Sequence, residues 1–142
     1  MDTTEPTYFL DSTTLIHAID NAAECHKECL NIISKAAKGE INTATNLETL
    51  EETLFIPSKL VSLSTALRVT HDYLRMTKIR KYEMTLAIFE HRLEIVEITP
   101  LKRPKDAINV ATMLEHNIPN IISEGREYDR IGLIQRVHPK DI

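Results

Sequence analysis

The chain has 142 residues, of which 42% are hydrophobic and 27% charged, and a formal net charge of -4. That length suits one compact domain over residues 1–142 with a substantial core. The acidic balance excludes a general nucleic-acid binder, and no apolar run reaches the roughly 20 residues that a bilayer-spanning helix needs.

Residues 1–7 are polar and acidic, with neither the cationic nor the apolar portion of a secretory signal, so a cytoplasmic address is expected. The first expected element is a short buried strand. Tyr8, Phe9 and Leu10 are apolar and lead into Asp11, followed by Ser12, Thr13 and Thr14. An acid that emerges where a strand stops lies at the edge where open α/β sheets place their ligands. Residues 22–38 are good helix formers, with Ala22, Cys25, Cys29, Ile32, Ile33 and Ala36 on one face and Gly39 as the stop. Cys25 and Cys29, one turn apart, suit no disulfide framework. With His26 between them they still lack the second paired cluster of a structural zinc site, so buried thiols are expected.

A short strand is expected over residues 41–45, and Asn46 caps a helix over 47–56 that Pro57 breaks. Residues 59–76, with Leu60, Leu63, Leu67, Val69 and Leu74, read as a helix, and 78–93 as another. The alternation of Glu94-Ile95-Val96-Glu97-Ile98-Thr99 predicts a strand. Residues 106–116 read as a helix with Ala107, Val110, Ala111 and Leu114 on one side, ended by Asn117. A strand over 120–123, a turn or helical piece over 128–131 and a strand over 133–137 complete the chain. Strands alternating with helices argue for a three-layer α/β/α fold around a mostly parallel sheet.

Several carboxylates fall at the ends of these elements: Asp11, Glu51 and Glu52, Asp106, and Glu124, Glu127 and Asp129. The carboxyl ends of parallel strands share one edge. Acids gathered there repel one another unless a cation compensates, and hard oxygen donors suit Mg2+ or Mn2+. Such a centre activates water for phosphodiester hydrolysis. The bland alternative is that acids at helix N-termini act as caps or dipole partners. No glycine-rich phosphate loop, paired histidine motif or nucleophile elbow competes with this reading.

The segments Phe9-Leu10-Asp11-Ser12-Thr13-Thr14-Leu15-Ile16, Leu50-Glu51-Glu52-Thr53-Leu54, Asp106-Ala107-Ile108-Asn109-Val110-Ala111-Thr112 and Ile121-Ile122-Ser123-Glu124-Gly125-Arg126-Glu127-Tyr128-Asp129 occur in the order seen in PIN domains. The chain resembles that nuclease family, which includes VapC-type toxins of toxin–antitoxin pairs. The resemblance implies a PIN-like fold and a Mg2+- or Mn2+-dependent ribonuclease in which Asp11, Glu52 and Asp106 are catalytic metal ligands. Thr13 and Ser123 would support them. Alignment places the second acid on Glu52, whereas helical phase keeps Glu51 as the alternate. In the fourth motif Gly125 stands where the family has an acid, leaving Glu124, Glu127 or Asp129 as replacements.

Lys102, Arg103 and Lys105, just ahead of Asp106, offer charge for RNA phosphates. The family likeness also implies a partner antitoxin and a homodimer, and no membrane association. The rival reading is a PIN-fold scaffold, catalytically weakened or inactive, that binds RNA or protein; Gly125 is its support.

Overall fold

The computed structural model describes residues 6–142. The polar N-terminal stretch, expected to carry no secretory signal, lies outside the described residues from position 1 to 5. Strands β1 (Tyr8–Leu10), β2 (Thr43–Asn46), β3 (Ile79–Tyr82), β4 (Asn120–Ile122) and β5 (Gln135–Val137) form a five-stranded sheet in the order β3-β2-β1-β4-β5, with every pair parallel. Helices α1 (Ser12–His17), α2 (His26–Lys38), α3 (Leu47–Leu60), α4 (Leu63–Arg75), α5 (Leu86–Ile98) and α6 (Pro104–Glu115) flank it, with 3-10 turns at Arg126–Arg130 and Pro139–Asp141.

Alternation along each strand divides the core between the two faces of the sheet. Phe9, Ala44 and Ile121 join Ile88 and Ile95 of α5 and Ala107 and Ala111 of α6 in one buried cluster. Leu10 and Ile122, the next residues along, join Leu15, Cys29, Ile32 and Tyr73 in the other. Successive side chains of a strand point to opposite faces, so helices must cover both. Among the described residues, no helix is long and apolar enough to cross a membrane.

The strand order matters most for function. The chain winds outward from β1 through β2 to β3 and then crosses back to β4, on the other side of β1. Winding reverses between β1 and β4, and in open α/β sheets the crevice at the carboxyl ends of such strands is where ligands bind. Asp11 follows β1 and Ser123 follows β4, so both stand at that crevice.

Four expectations about elements need correction. Residues 78–93 are not one helix: Ile79–Tyr82 is the edge strand β3, pairing Thr43 with Ile79 and Asn46 with Tyr82. Its Arg80 and Lys81 have helical propensity, but charged residues are common on sheet edges, and Ile79 is buried there. The expected strand at 94–99 is the end of α5, which starts at the Thr85 cap, whose Oγ1 accepts from Ile88 N at 3.2 Å. Its buried residues are Ile88 and Ile95, two helical turns apart, and this longer period overrides the local alternation. Pro57 does not break α3, which runs past it to Leu60. The single helix expected over 59–76 is the end of α3 followed by α4, restarted at Ser62, whose Oγ accepts from Thr65 N at 3.1 Å. In α4 the side facing the core is Ala66, Val69 and Tyr73, so the expected stripe of Leu63, Leu67 and Leu74 is on the surface. Helix α1 and the turns before α2 were also not anticipated. Gly39, with φ 77, and Asn117, with φ 56, end α2 and α6 in the left-handed region, as expected.

Candidate functional site

Asp11 is the N-cap of α1 and is 6% exposed. Its Oδ1 accepts from Ser12 N at 2.8 Å, and its Oδ2 accepts from Ser123 Oγ at 2.7 Å and from Thr13 Oγ1 at 3.4 Å. Thr13 and Ser123 therefore both touch Asp11. A third partner was missed: Asn109 Nδ2 donates to Asp11 Oδ1 at 3.4 Å. Asn109 lies on α6 three residues beyond Asp106, so spacing on a shared helix face was the signal that pointed to it.

Asp106 sits in the first turn of α6 behind Pro104, and it is not the cap; Arg103 holds that position without a side-chain cap bond. The Asp106 carboxylate is buried, with Oδ1 accepting from Tyr128 Oη at 3.2 Å. Asn109 Nδ2 also donates to Tyr128 Oη at 3.2 Å, so Tyr128 is a polar bridge as well as the expected packing anchor. Asn109 is oriented from behind by Asn46, which caps α3 and donates from Nδ2 to Asn109 Oδ1 at 3.0 Å. One network thus joins the starts of α1, α3 and α6 with the turn after β4.

The charges in this crevice are poorly compensated. Asp106 Oδ2 is buried without a hydrogen-bond partner, and its nearest cation is Arg103 Nε at 3.6 Å. Burial raises the pKa of Asp11 against its bonds from Ser123 and Ser12, and the charges of Asp106 and Glu127 add to the rise. Burial raises that of Asp106 too, with the Arg103 charge opposing and Glu127 reinforcing. Taking a carboxylate out of water costs several kcal/mol, whereas one charge-assisted hydrogen bond returns about 1.5–3 kcal/mol, so the direction is as expected.

The five candidate acids of the second and fourth motifs part company. Glu52 forms an ion pair with Lys105, while Glu51 is exposed. Glu124 turns away from the crevice and lies against His17, with Oε2 2.6 Å from Nδ1. Asp129 is exposed and paired with Arg136 at 2.8 and 3.0 Å, and Arg136 also donates to the Ser123 carbonyl at 3.0 Å, pinning the turn. That pair holds the Asp129 carboxyl below its usual range. Glu127 alone folds toward the crevice. Its carboxylate lies against Gly125, with Oε2 2.9 Å from where a Cβ would be, in the space an acid at position 125 would use.

A further acid was not singled out from the sequence. Glu48 lies in the first turn of α3, two residues after β2 ends at Asn46. It is half-buried, and its Oε1 is buried without a partner. Neighbouring Thr49 reaches Asn109 Oδ1 at 3.5 Å, which ties that turn to the network holding Asp11. The signal for Glu48 was its place as the first acid after the expected strand over 41–45.

The three basic residues have different surroundings. Lys105 is directed into the acid cluster: burial lowers its pKa, against the charges of Asp11, Asp106, Glu51 and Glu48, which raise it. Lys102 donates to the Val96 carbonyl at 3.1 Å on an exposed surface, and Arg103 is largely exposed beside Asp106.

The linkage between charge and stability has a definite sign. Both aspartates have folded pKa values above 3.8, so their stabilising contribution is present below the unfolded value and is lost as pH rises through the folded value. In chelator, the parent is therefore expected to gain thermal stability relative to Asp11→Asn as pH falls from 7 to about 4. Melting curves of both proteins across that range check it; a gap that stays constant contradicts the burial argument.

The PIN domain family profile matches residues 8–133, and the chain belongs to that family. No curated protein sequence matches the chain. Among solved structures, VapC20 of Mycobacterium tuberculosis, described as a sarcin-ricin loop cleaving toxin, is similar with a TM-score of 0.76 at 16% identity, over 89% of this chain and 96% of that one. DNA-bound VapBC from Salmonella typhimurium is similar at 0.70 and 17%, over 94% and 98%. A toxin–antitoxin complex from Klebsiella pneumoniae is similar at 0.69 and 17%, over 95% and 99%. At these identities the likeness is one of fold.

Proposed function

We propose that the chain is a divalent-metal-dependent ribonuclease that hydrolyses RNA phosphodiester bonds and acts as the toxin of a toxin–antitoxin pair. The observation that carries the reading is the buried, under-compensated acid cluster at the β1/β4 crevice of a PIN domain, a family that typically uses divalent metals. The donors fit Mg2+ or Mn2+: they are carboxylate oxygens, one of them, Asp106 Oδ2, buried without a hydrogen bond. Asp11 and Asp106 would hold the ion with Glu48 and Glu127. Glu52, the acid favoured from the sequence, is assigned to Lys105 instead. When bound, the ion supplies the positive charge that activates water and stabilises the leaving oxygen.

The chain's own residues do the positioning. Ser123, Thr13 and Ser12 N fix the rotamer of Asp11, Tyr128 fixes Asp106, and Asn109 ties the two together. Lys105 neutralises part of the cluster, and Arg103 at its rim is the candidate contact for an RNA phosphate, with Lys102 further along the surface. Glu127 beside Gly125 is the reason to prefer catalysis over the inactive scaffold. Incubating the purified chain with single-stranded RNA and Mn2+ tests the reading. Metal-dependent cleavage is expected; no cleavage together with no saturable Mn2+ binding would favour the scaffold.

An apolar groove of about 850 Å3 is bordered by Ile16 near the end of α1, Ile19 just after it, Leu30 of α2, and Ile56, Leu60 and Val61 at the end of α3. Leu60 and Val61 are 77% and 71% exposed. Such apolar exposure marks an interaction surface, and two of the similar structures are toxin–antitoxin or VapBC assemblies. The proposed occupant is an amphipathic segment of an antitoxin, and a homodimer would use the exposed Leu86, Phe89 and Leu93 of α5. Co-expression with the product of the neighbouring gene is expected to yield a complex that Leu60→Glu weakens by tenfold or more. An unchanged affinity would place the partner elsewhere.

A further inference from the structure

A second cluster of donors lies outside the acid centre, and it is chemically different. Cys25, at the N-terminal end of α2, Glu124, in the turn after β4, and His138, just before the last 3-10 turn, bring Sγ, a carboxylate oxygen and a ring nitrogen within 4.8 Å of one another. A tetrahedral zinc ion with bonds of about 2.0–2.3 Å separates its ligands by roughly 3.3–3.8 Å, so inward shifts on the order of 1 Å close the shell. The imidazole of His17 contacts Glu124, with Nδ1 2.6 Å from Oε2, and a water would take the fourth position.

We propose that Cys25, Glu124 and His138 form a site for a transition metal of the zinc type, with water in the fourth position, separate from the hard-cation centre at Asp11. The mixed sulfur, nitrogen and oxygen set selects Zn2+ or Co2+ over Mg2+, which prefers oxygen alone. His138 Nδ1 accepts from Lys140 N at 3.1 Å at the surface. Ligation through either ring nitrogen gives up that bond, and water can replace it. On binding, the ion would take the place of the Cys25 thiol proton.

The ligands come from segments far apart in the chain, so the ion would cross-link the start of α2 and the C-terminal turn to the loop after β4. That loop carries Ser123, which holds Asp11 at 2.7 Å. From spacing alone Cys25 and Cys29 are expected to be buried thiols; in the fold the companions of Cys25 are Glu124 and His138. Cys29 is buried deeper in the apolar cluster.

Titrating the metal-free full chain with Co2+ tests the site. One equivalent is expected to produce a thiolate-to-cobalt charge-transfer band and intense tetrahedral visible bands, which Zn2+ abolishes. Cys25→Ser should remove the charge-transfer band, and His138→Gln should weaken cobalt binding by tenfold or more. Cys29→Ser and Asp11→Asn should leave the spectrum intact, so the result is independent of nuclease activity. Absence of the band in the parent overturns the proposal. So does unchanged affinity in His138→Gln, a change at a partly exposed position that decides the matter even if Cys25→Ser fails to fold.

Discussion

Replacing Asp11 by Asn is expected to reduce metal-dependent RNA cleavage by more than about a hundredfold, exceeding the 10–100-fold typical of losing a partner that only orients a metal ligand. The same substitution should stabilise the metal-free protein at neutral pH. Asp11 is 6% exposed, and its carboxylate is destabilised by burial and by Asp106 and Glu127. An amide occupies the same volume and still accepts from Ser12 N through its oxygen, without a charge to desolvate. Added Mn2+ should raise the melting temperature of the parent and leave that of Asp11→Asn nearly unchanged. The two readouts move in opposite directions, which separates loss of a ligand from loss of the fold. Melting curves with and without Mn2+, read beside cleavage rates, check this. A variant that is both active and Mn2+-stabilised would sink the assignment of Asp11.

The second large effect concerns which glutamates share the ion. Glu48→Gln is expected to weaken Mn2+ binding by at least tenfold, and Glu127→Gln to do the same, whereas exposed Glu51→Gln should change little. Glu52→Gln should behave differently from both: it frees Lys105, whose ammonium then has only the remaining acids as partners. Its affinity for Mn2+ is expected to fall by less than that of Glu48→Gln. Isothermal titration of the four variants gives the order directly. If Glu52→Gln has the largest effect and Glu48→Gln the smallest, the second acid is the one chosen from the sequence.

The companion change Gly125→Asp bears on the same geometry. A Cβ at position 125 meets the end of the flexible Glu127 side chain, with Oε2 at 2.9 Å. The two acids therefore compete for one space, and the sequence solves with Glu127 what an acid at 125 would otherwise supply. Tyr128, one residue further, bonds to Asp106 and Asn109 and keeps the turn in place.

The sequence by itself determined the fold class and the placement of two aspartates at the edge of the sheet. Tyr8, Phe9 and Leu10 ahead of Asp11, and Asp106 at the head of a helix rich in small residues, carry their meaning locally: an apolar run must be buried, and the polar residue at its end must emerge at an edge. Thr13 and Ser123 were legible for the same reason. Local pattern failed where a short segment satisfied two periods, as at 94–99, where six residues cannot distinguish an alternating strand from the end of a helix anchored at Thr85.

Only the tertiary structure decided how the remaining acids are divided. Glu48, Glu51 and Glu52 are all near the start of one helix, and which of them faces the crevice depends on where β2 ends and on the Asn46–Asn109 bond that sets the helix against α6. Glu124, Glu127 and Asp129 lie within one turn, yet they go to His17, to Gly125 and to Arg136. Side-chain direction in a tight turn is set by its partners, and those partners are contributed by segments distant in the sequence. The same holds for Cys25, whose neighbours Glu124 and His138 are about a hundred residues away along the chain and within 4.8 Å in space.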